Sequence, residues 1–81
     1  MRLEKVQEVL KERRIRYEYA EEDGCGSIDF YNKGLPYHIW EFADKEEWGV
    51  ETNIFHVGRS VEITGDYEKE LAEELKNWMP G

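Results

Sequence analysis

Residues 16–30 read RYEYAEEDGCGSIDF, and this stretch decides the fold. Apolar and polar side chains alternate on both sides of a Gly-rich turn that begins at Asp23-Gly24. Asp-Gly accepts the positive φ angles that a tight hairpin turn needs. The stretch therefore predicts a β-hairpin and places an antiparallel sheet at the centre of the molecule.

A third strand is predicted directly after this hairpin. Asn32-Lys33-Gly34 is typical of a second tight turn, and the period of two continues over residues 35–42. Two apolar side chains of this strand point to one face and three aromatic ones to the other: Tyr37 and Ile39, against His38, Trp40 and Phe42. Because both faces are apolar or aromatic, we expect the strand to lie in the interior of the sheet.

Helices are predicted on both sides of the strands. Leu3, Val6, Val9 and Leu10 recur at helical spacing, which indicates an amphipathic helix over about residues 2–13. A second helix is predicted after Asp66 as its N-cap. Between the third strand and this helix, residues 43–47 are expected to form a polar connection and residues 48–52 and 60–64 two strands. Residues 53–57 fit either a strand or a loop.

The order of elements predicts an α+β fold for residues 1–81 as one domain. We expect a two-layer arrangement of an N-terminal helix, an antiparallel sheet of three to five strands and a C-terminal helix. One set of apolar residues is expected to fill the core between helices and sheet: Leu10, Tyr17, Ile28, Phe30, Ile39, Leu71, Leu75 and Trp78.

Two known architectures resemble this order at the level of the fold. Double-stranded-RNA-binding domains carry a basic start of the second helix, where this chain has the acidic residues Asp66, Glu68 and Glu70. Frataxin-like proteins carry an acidic ridge on the first helix, which here ends in Lys11, Arg13 and Arg14. The residues responsible for either function are absent, so the order implies a fold and no activity.

The net charge of −8 is unevenly distributed along the chain. Residues 1–16 carry six Lys and Arg against three Glu, and the remaining residues carry five basic against sixteen acidic side chains. Nucleic-acid affinity depends on Lys and Arg neutralising phosphates, so we expect no nucleic-acid partner. The asymmetry favours a basic protein partner or self-association, although solubility alone also explains it. We expect the protein to be a monomer or a homodimer.

Cofactor, metal and membrane roles receive no support from the sequence. Cys25 is the one cysteine, so no intrachain disulfide forms, and the expected location is the cytoplasm. Cys25 has no sequence signature of a catalytic cysteine around it, and the sequence lacks the paired ligand spacing of a structural zinc site. No apolar run approaches the ~20 residues that span a bilayer.

A candidate binding site lies around the third strand and the irregular segment that follows the fourth. It combines aromatic and polar side chains: His38, Trp40, Trp48, Asn53, His56 and Arg59. Irregular segments held on a rigid sheet are where binding sites tend to occur. Alternatively, the tryptophans are core residues and Arg59 pairs with Glu51 or Glu62.

The sequence alone leaves the function open among three classes. A small acidic protein-binding module is the first. A ligand-binding or enzymatic domain that uses the His38, Trp40 and Arg59 face is the second. The third is an acidic mimic of nucleic acid, whose spaced carboxylates would imitate phosphates.

Overall fold

The protein has an α+β fold, in which one helix precedes and one helix follows the five strands of a single sheet along the sequence. A computed structural model describes residues 3–44, 47–56 and 58–78. Its elements are α1 (Glu4–Glu12), β1 (Tyr17–Glu22), β2 (Cys25–Asn32), β3 (Leu35–Asp44), β4 (Glu47–Thr52), β5 (Val61–Thr64) and α2 (Tyr67–Trp78). This order confirms the predicted fold class, with the sheet at the upper limit of the expected strand number.

The five strands form an antiparallel meander in the order β1-β2-β3-β4-β5. In the two predicted hairpin turns both central residues have positive φ: Asp23 (53°) with Gly24 (80°), and Lys33 (54°) with Gly34 (81°). Two-residue turns of this kind match the twist of the strands that they join. The register follows, with Tyr17 opposite Phe30 and Asp29 opposite His38, and β3 lies in the middle of the sheet as predicted.

Both helices cover the same face of the sheet and contact each other. Six of the eight predicted core residues are buried in this layer: Leu10, Ile28, Phe30, Ile39, Leu71 and Leu75. Tyr17 is only half-buried because β1 is an edge strand, and its hydroxyl donates to Gln7 Oε1 at 2.9 Å. The side chain of Trp78 lies outside the described part of the structure. Neither helix of the described ranges is long and apolar enough to cross a membrane.

The connection between β3 and β4 is shorter than its composition indicates. Residues 43–47 were expected to be a polar link, but β3 extends to Asp44 and β4 begins at Glu47. Ala43 pairs with Trp48 in the ladder. Charged residues at the end of a hairpin still form strand when the neighbouring strand supplies backbone partners. Residues 45 and 46 lie outside the described residues.

Helix α1 ends in a motif that normally contains glycine. The N–H of Arg14 donates to the carbonyl of Lys11 at 3.1 Å, and the N–H of Ile15 donates to the carbonyl of Leu10 at 2.9 Å. These two bonds define a Schellman motif, in which the residue in the left-handed conformation is usually Gly. Here that residue is Arg14, with φ of 59°.

Candidate functional site

The face of the sheet opposite the helices carries the candidate site, and we call it the open face. Strand alternation and register place eight neighbouring residues of the five strands on it: Glu18, Ala20, Ser27, Asp29, His38, Trp40, Glu51 and Glu62. Five of them are exposed, and Ser27, His38 and Glu51 are half-buried. The buried apolar side chains of the strands lie on the other face, under α1 and α2: Ile28, Phe30, Ile39 and Val50.

Trp40 lies at the centre of the open face and is held in place from two sides. Its ring stacks on the imidazole of His38, with centroids 4.2 Å apart and 28° between the planes. Its indole Nε1–H donates to Asp29 Oδ1 at 3.3 Å. The residue nevertheless remains 43% exposed, so an oriented aromatic surface faces solvent.

His38 links this tryptophan to β4 and to the segment before β5. Its Nε2 lies 3.0 Å from Ser60 Oγ and 3.8 Å from Glu51 Oε2. A Ser-His-acid catalytic relay needs the serine on one ring nitrogen and the carboxylate on the other. Because both groups here approach the same nitrogen, the arrangement favours a fixed histidine ring over an activated serine.

The side chain of Asn53 forms hydrogen bonds with the backbone of β3. Its Oδ1 accepts the N–H of His38 at 2.9 Å, and its Nδ2 donates to the carbonyl of Pro36 at 3.0 Å. The side chain thus continues the β3–β4 ladder beyond Thr52, the last residue of β4. Its position explains why His38 is held firmly, and it makes Asn53 a supporting residue beneath the open face.

The other three predicted site residues lie on the helix side of the sheet or in the segment that follows β4. Trp48 alternates with Gly49 and so lies on the helix side of the sheet, 39% exposed, near the turn at Gly24. His56 and Arg59 are both exposed in the segment after β4, where the N–H of Arg59 donates to the carbonyl of His56 at 3.0 Å. Residues 53–56 belong to no strand, and Val57 lies outside the described residues.

Three residues that contact Trp40 or His38 are not among the site residues predicted from the sequence: Asp29, Glu51 and Ser60. The signal for Asp29 was present, because a two-residue turn at Lys33-Gly34 sets Asp29 opposite His38. Glu51 required the length of the β3–β4 connection, which its composition obscured. Ser60 approaches from a segment without regular structure, so no periodicity indicates it.

The electrostatic character of the sheet is uniform. Its five strands contain no Lys or Arg, and they contain nine carboxylate residues: Glu18, Glu21, Glu22, Asp29, Glu41, Asp44, Glu47, Glu51 and Glu62. Those on the open face include Glu18, Glu22, Asp29, Glu51 and Glu62. Within the described residues, the basic side chains lie in the helices, turns and connecting segments.

A buried carboxylate on the covered face joins the sheet to α2. Glu41 is 7% exposed, and its two oxygens accept the N–H of Gly26 at 2.7 Å and the hydroxyl of Tyr67 at 2.6 Å. Burial, together with the hydrogen bond to Glu41, raises the pKa of the Tyr67 hydroxyl well above its ordinary value. The pair is a structural connection, because both carboxylate oxygens have donors within the protein.

The described residues hold no group of three or more His, Cys, Asp and Glu side chains arranged to bind a metal ion. Cys25 is a half-buried free thiol next to the first turn. Comparisons with protein-family models, curated proteins and solved structures found no significant match. The function must therefore be inferred from the geometry and charge of the open face.

Proposed function

We propose that this protein is a binding module for a basic segment of another protein, and that the open face of its sheet is the contact surface. The observation that supports the proposal most directly is the exposed, oriented ring of Trp40 within a sheet that contains carboxylates and no Lys or Arg. The segment that fits this surface carries several Lys or Arg residues in an extended conformation.

The carboxylates of the open face favour a cationic partner. Glu18, Glu51 and Glu62 lie on different strands, so the carboxylates are spread across the width of the sheet. At physiological ionic strength a charge is screened beyond about 8 Å, which makes the local surface more important than the net charge. A surface with carboxylates on several strands attracts cations and accelerates their association.

Trp40 offers an exposed aromatic ring to a Lys or Arg side chain. A Lys or Arg side chain over the face of a tryptophan gains about 0.5–1 kcal/mol at an exposed site, and more when water is excluded. Trp40 is already fixed by His38 and Asp29, so binding costs little side-chain entropy there. An aromatic ring with carboxylates around it is suited to a cationic side chain with an apolar stem.

The proposal is tested with two fluorescently labelled ten-residue peptides, one of alternating Lys and Ser and one of alternating Glu and Ser. Fluorescence anisotropy is measured for the native protein and for Trp40→Ala and Glu62→Gln. Trp48→Ala and Glu73→Gln are matched controls, because they remove an exposed tryptophan and an exposed carboxylate outside the open face.

The Lys peptide is expected to bind, and the Glu peptide is not. Trp40→Ala should weaken the affinity about two- to fivefold, since the cation–π contribution is lost. Glu62→Gln should weaken it and reduce its salt dependence. Equal effects of the control substitutions, or equal binding of both peptides, would refute the open face as the contact surface.

A further inference from the structure

A cleft of about 620 Å³ lies at the edge of the sheet, next to the end of α1. Its walls are the chain from Arg14 to Glu18 and the chain from Asp29 to Lys33, which covers the end of β2 and the first turn residue after it. The ladder between β1 and β2 begins at Tyr17 opposite Phe30, whereas β2 continues to Asn32. The cleft opens where the chain leaving α1 has not yet joined its neighbour.

Three cations line this cleft: Arg14, Arg16 and Lys33. Two of them, Arg14 and Lys33, have a left-handed backbone, with φ of 59° and 54°. This conformation is unfavourable for residues with long side chains, and Gly or Asn normally takes it. The equivalent position of the first hairpin turn holds Asp23, which is a favourable choice for such a turn.

Two residues with an unfavourable backbone conformation thus contribute cationic side chains to the border of one cleft. Unfavourable conformations cluster at functional sites, where the side chain is needed in spite of its cost. The apolar part of the lining comes from Ile15, Tyr17 and Tyr31, and from Phe30, which is itself a buried core residue. Glu18 and Asp29 also border the cleft, and Asp29 already accepts the indole N–H of Trp40.

We infer that this cleft binds a small organic anion, in which a carboxylate or phosphate group is attached to an apolar body. The guanidinium groups and the ammonium group would bind the anionic end, and the aromatic wall would bind the apolar end. The volume lies within the usual range for small-molecule sites. Glu18 and Asp29 border both the cleft and the open face, but the three cations of the cleft lie outside the strands, so this inference does not depend on the proposed contact with a basic segment.

The test uses backbone amide NMR with four probes. Benzoate and phenyl phosphate carry a ring and a charge, benzyl alcohol carries the ring alone, and inorganic phosphate carries the charge alone. Each is titrated to about 20 mM, a range suited to millimolar dissociation constants. Both aromatic anions should give saturable shifts at residues 14–18 and 29–33, and the tighter of the two identifies the preferred anionic group.

Arg14→Gly and Lys33→Asn separate binding from folding. Each removes a cation from the cleft and relieves an unfavourable backbone, so the melting temperature should rise by about 3–6 °C while the affinity for the anion falls at least about threefold. Lys76→Gln removes an exposed cation from α2 and should change neither quantity.

Three results would overturn the inference. One is the absence of saturable shifts with both aromatic anions. Another is equal binding of benzyl alcohol, which would show an apolar cleft without selectivity for charge. The third is unchanged affinity in both Arg14→Gly and Lys33→Asn, because the cations would then have no part in binding.

Discussion

At the scale of single residues, the surroundings of His38 show how one side chain acquires several constraints. Its backbone N–H is bonded by Asn53, its carbonyl accepts the hydroxyl of Thr52 at 2.7 Å, and its ring stacks on Trp40. The last contact faces solvent and the first two lie at the end of the ladder. The orientation of the exposed tryptophan therefore depends on buried polar groups beside it.

Asn53→Ala is expected to destabilise the fold. The substitution leaves the N–H of His38 and the carbonyl of Pro36 without their present partner in a part-buried position, at a cost of about 1–3 kcal/mol. Urea denaturation measures the loss. Asn53→Asp is a comparison variant: it keeps the acceptor for His38, but it replaces the donor to Pro36 with an oxygen and adds a negative charge at a buried position, so it should be destabilised as well. A wild-type midpoint for Asn53→Ala would contradict the structural role assigned to this side chain.

At the scale of elements, local patterns were sufficient where the chain turns tightly. Asp23-Gly24 and Lys33-Gly34 determined the two hairpins, and with them the faces of β2 and β3. The β3–β4 pairing was partly hidden, because Asp44 and Glu47 are strand residues of polar character. The bond between Glu41 and Tyr67 was not predictable, since it joins residues 26 positions apart that no local period relates.

Tyr67→Phe tests this link between α2 and the sheet. At about pH 8 the variant should be less stable by about 1–3 kcal/mol, because Glu41 loses a hydrogen-bond donor in a buried position. Chemical denaturation gives the difference, and Phe retains the volume of the ring.

The same pair predicts the direction of an alkaline effect. The raised pKa of Tyr67 means that the unfolded chain releases this proton near its ordinary pKa of 10, while the folded protein retains it to higher pH. The protonated hydroxyl of Tyr67 therefore contributes its full stabilisation to the fold below pH 10, and this stabilisation declines as the pH rises above 10 toward the folded-state pKa. The stability difference between the native protein and Tyr67→Phe should therefore narrow from about pH 9 to about pH 11. A constant difference would show that the hydroxyl is not selectively protonated in the fold.

At the scale of the whole molecule, the basic residues are excluded from the strands of the sheet. The strands contain carboxylates without Lys or Arg, whereas Lys11 lies in the last turn of α1 and Arg13 and Arg14 directly follow it. The sequence revealed this imbalance along the chain. It did not reveal that the acidic residues share an uncovered sheet face with an exposed tryptophan, which requires the register of all five strands.

This distribution predicts weak affinity for nucleic acid. At about 0.15 M salt the protein should show no micromolar binding to duplex DNA or RNA, because the basic residues at the end of α1 are few beside an acidic sheet. A gel mobility shift measures this. A retarded complex that disappears when Arg13, Arg14 and Arg16 are replaced by Gln would disprove the prediction.

The most direct measurement of the central claim is a map of backbone amide shifts on titration with the peptide of alternating Lys and Ser. We expect saturable shifts across β2, β3, β4 and β5, strongest near His38, Trp40 and Glu51, together with a shift of the Trp40 indole N–H. Shifts centred on α1 and α2, or on residues 14–16 and Lys33 of the cleft, would contradict the assignment of the open face as the binding surface.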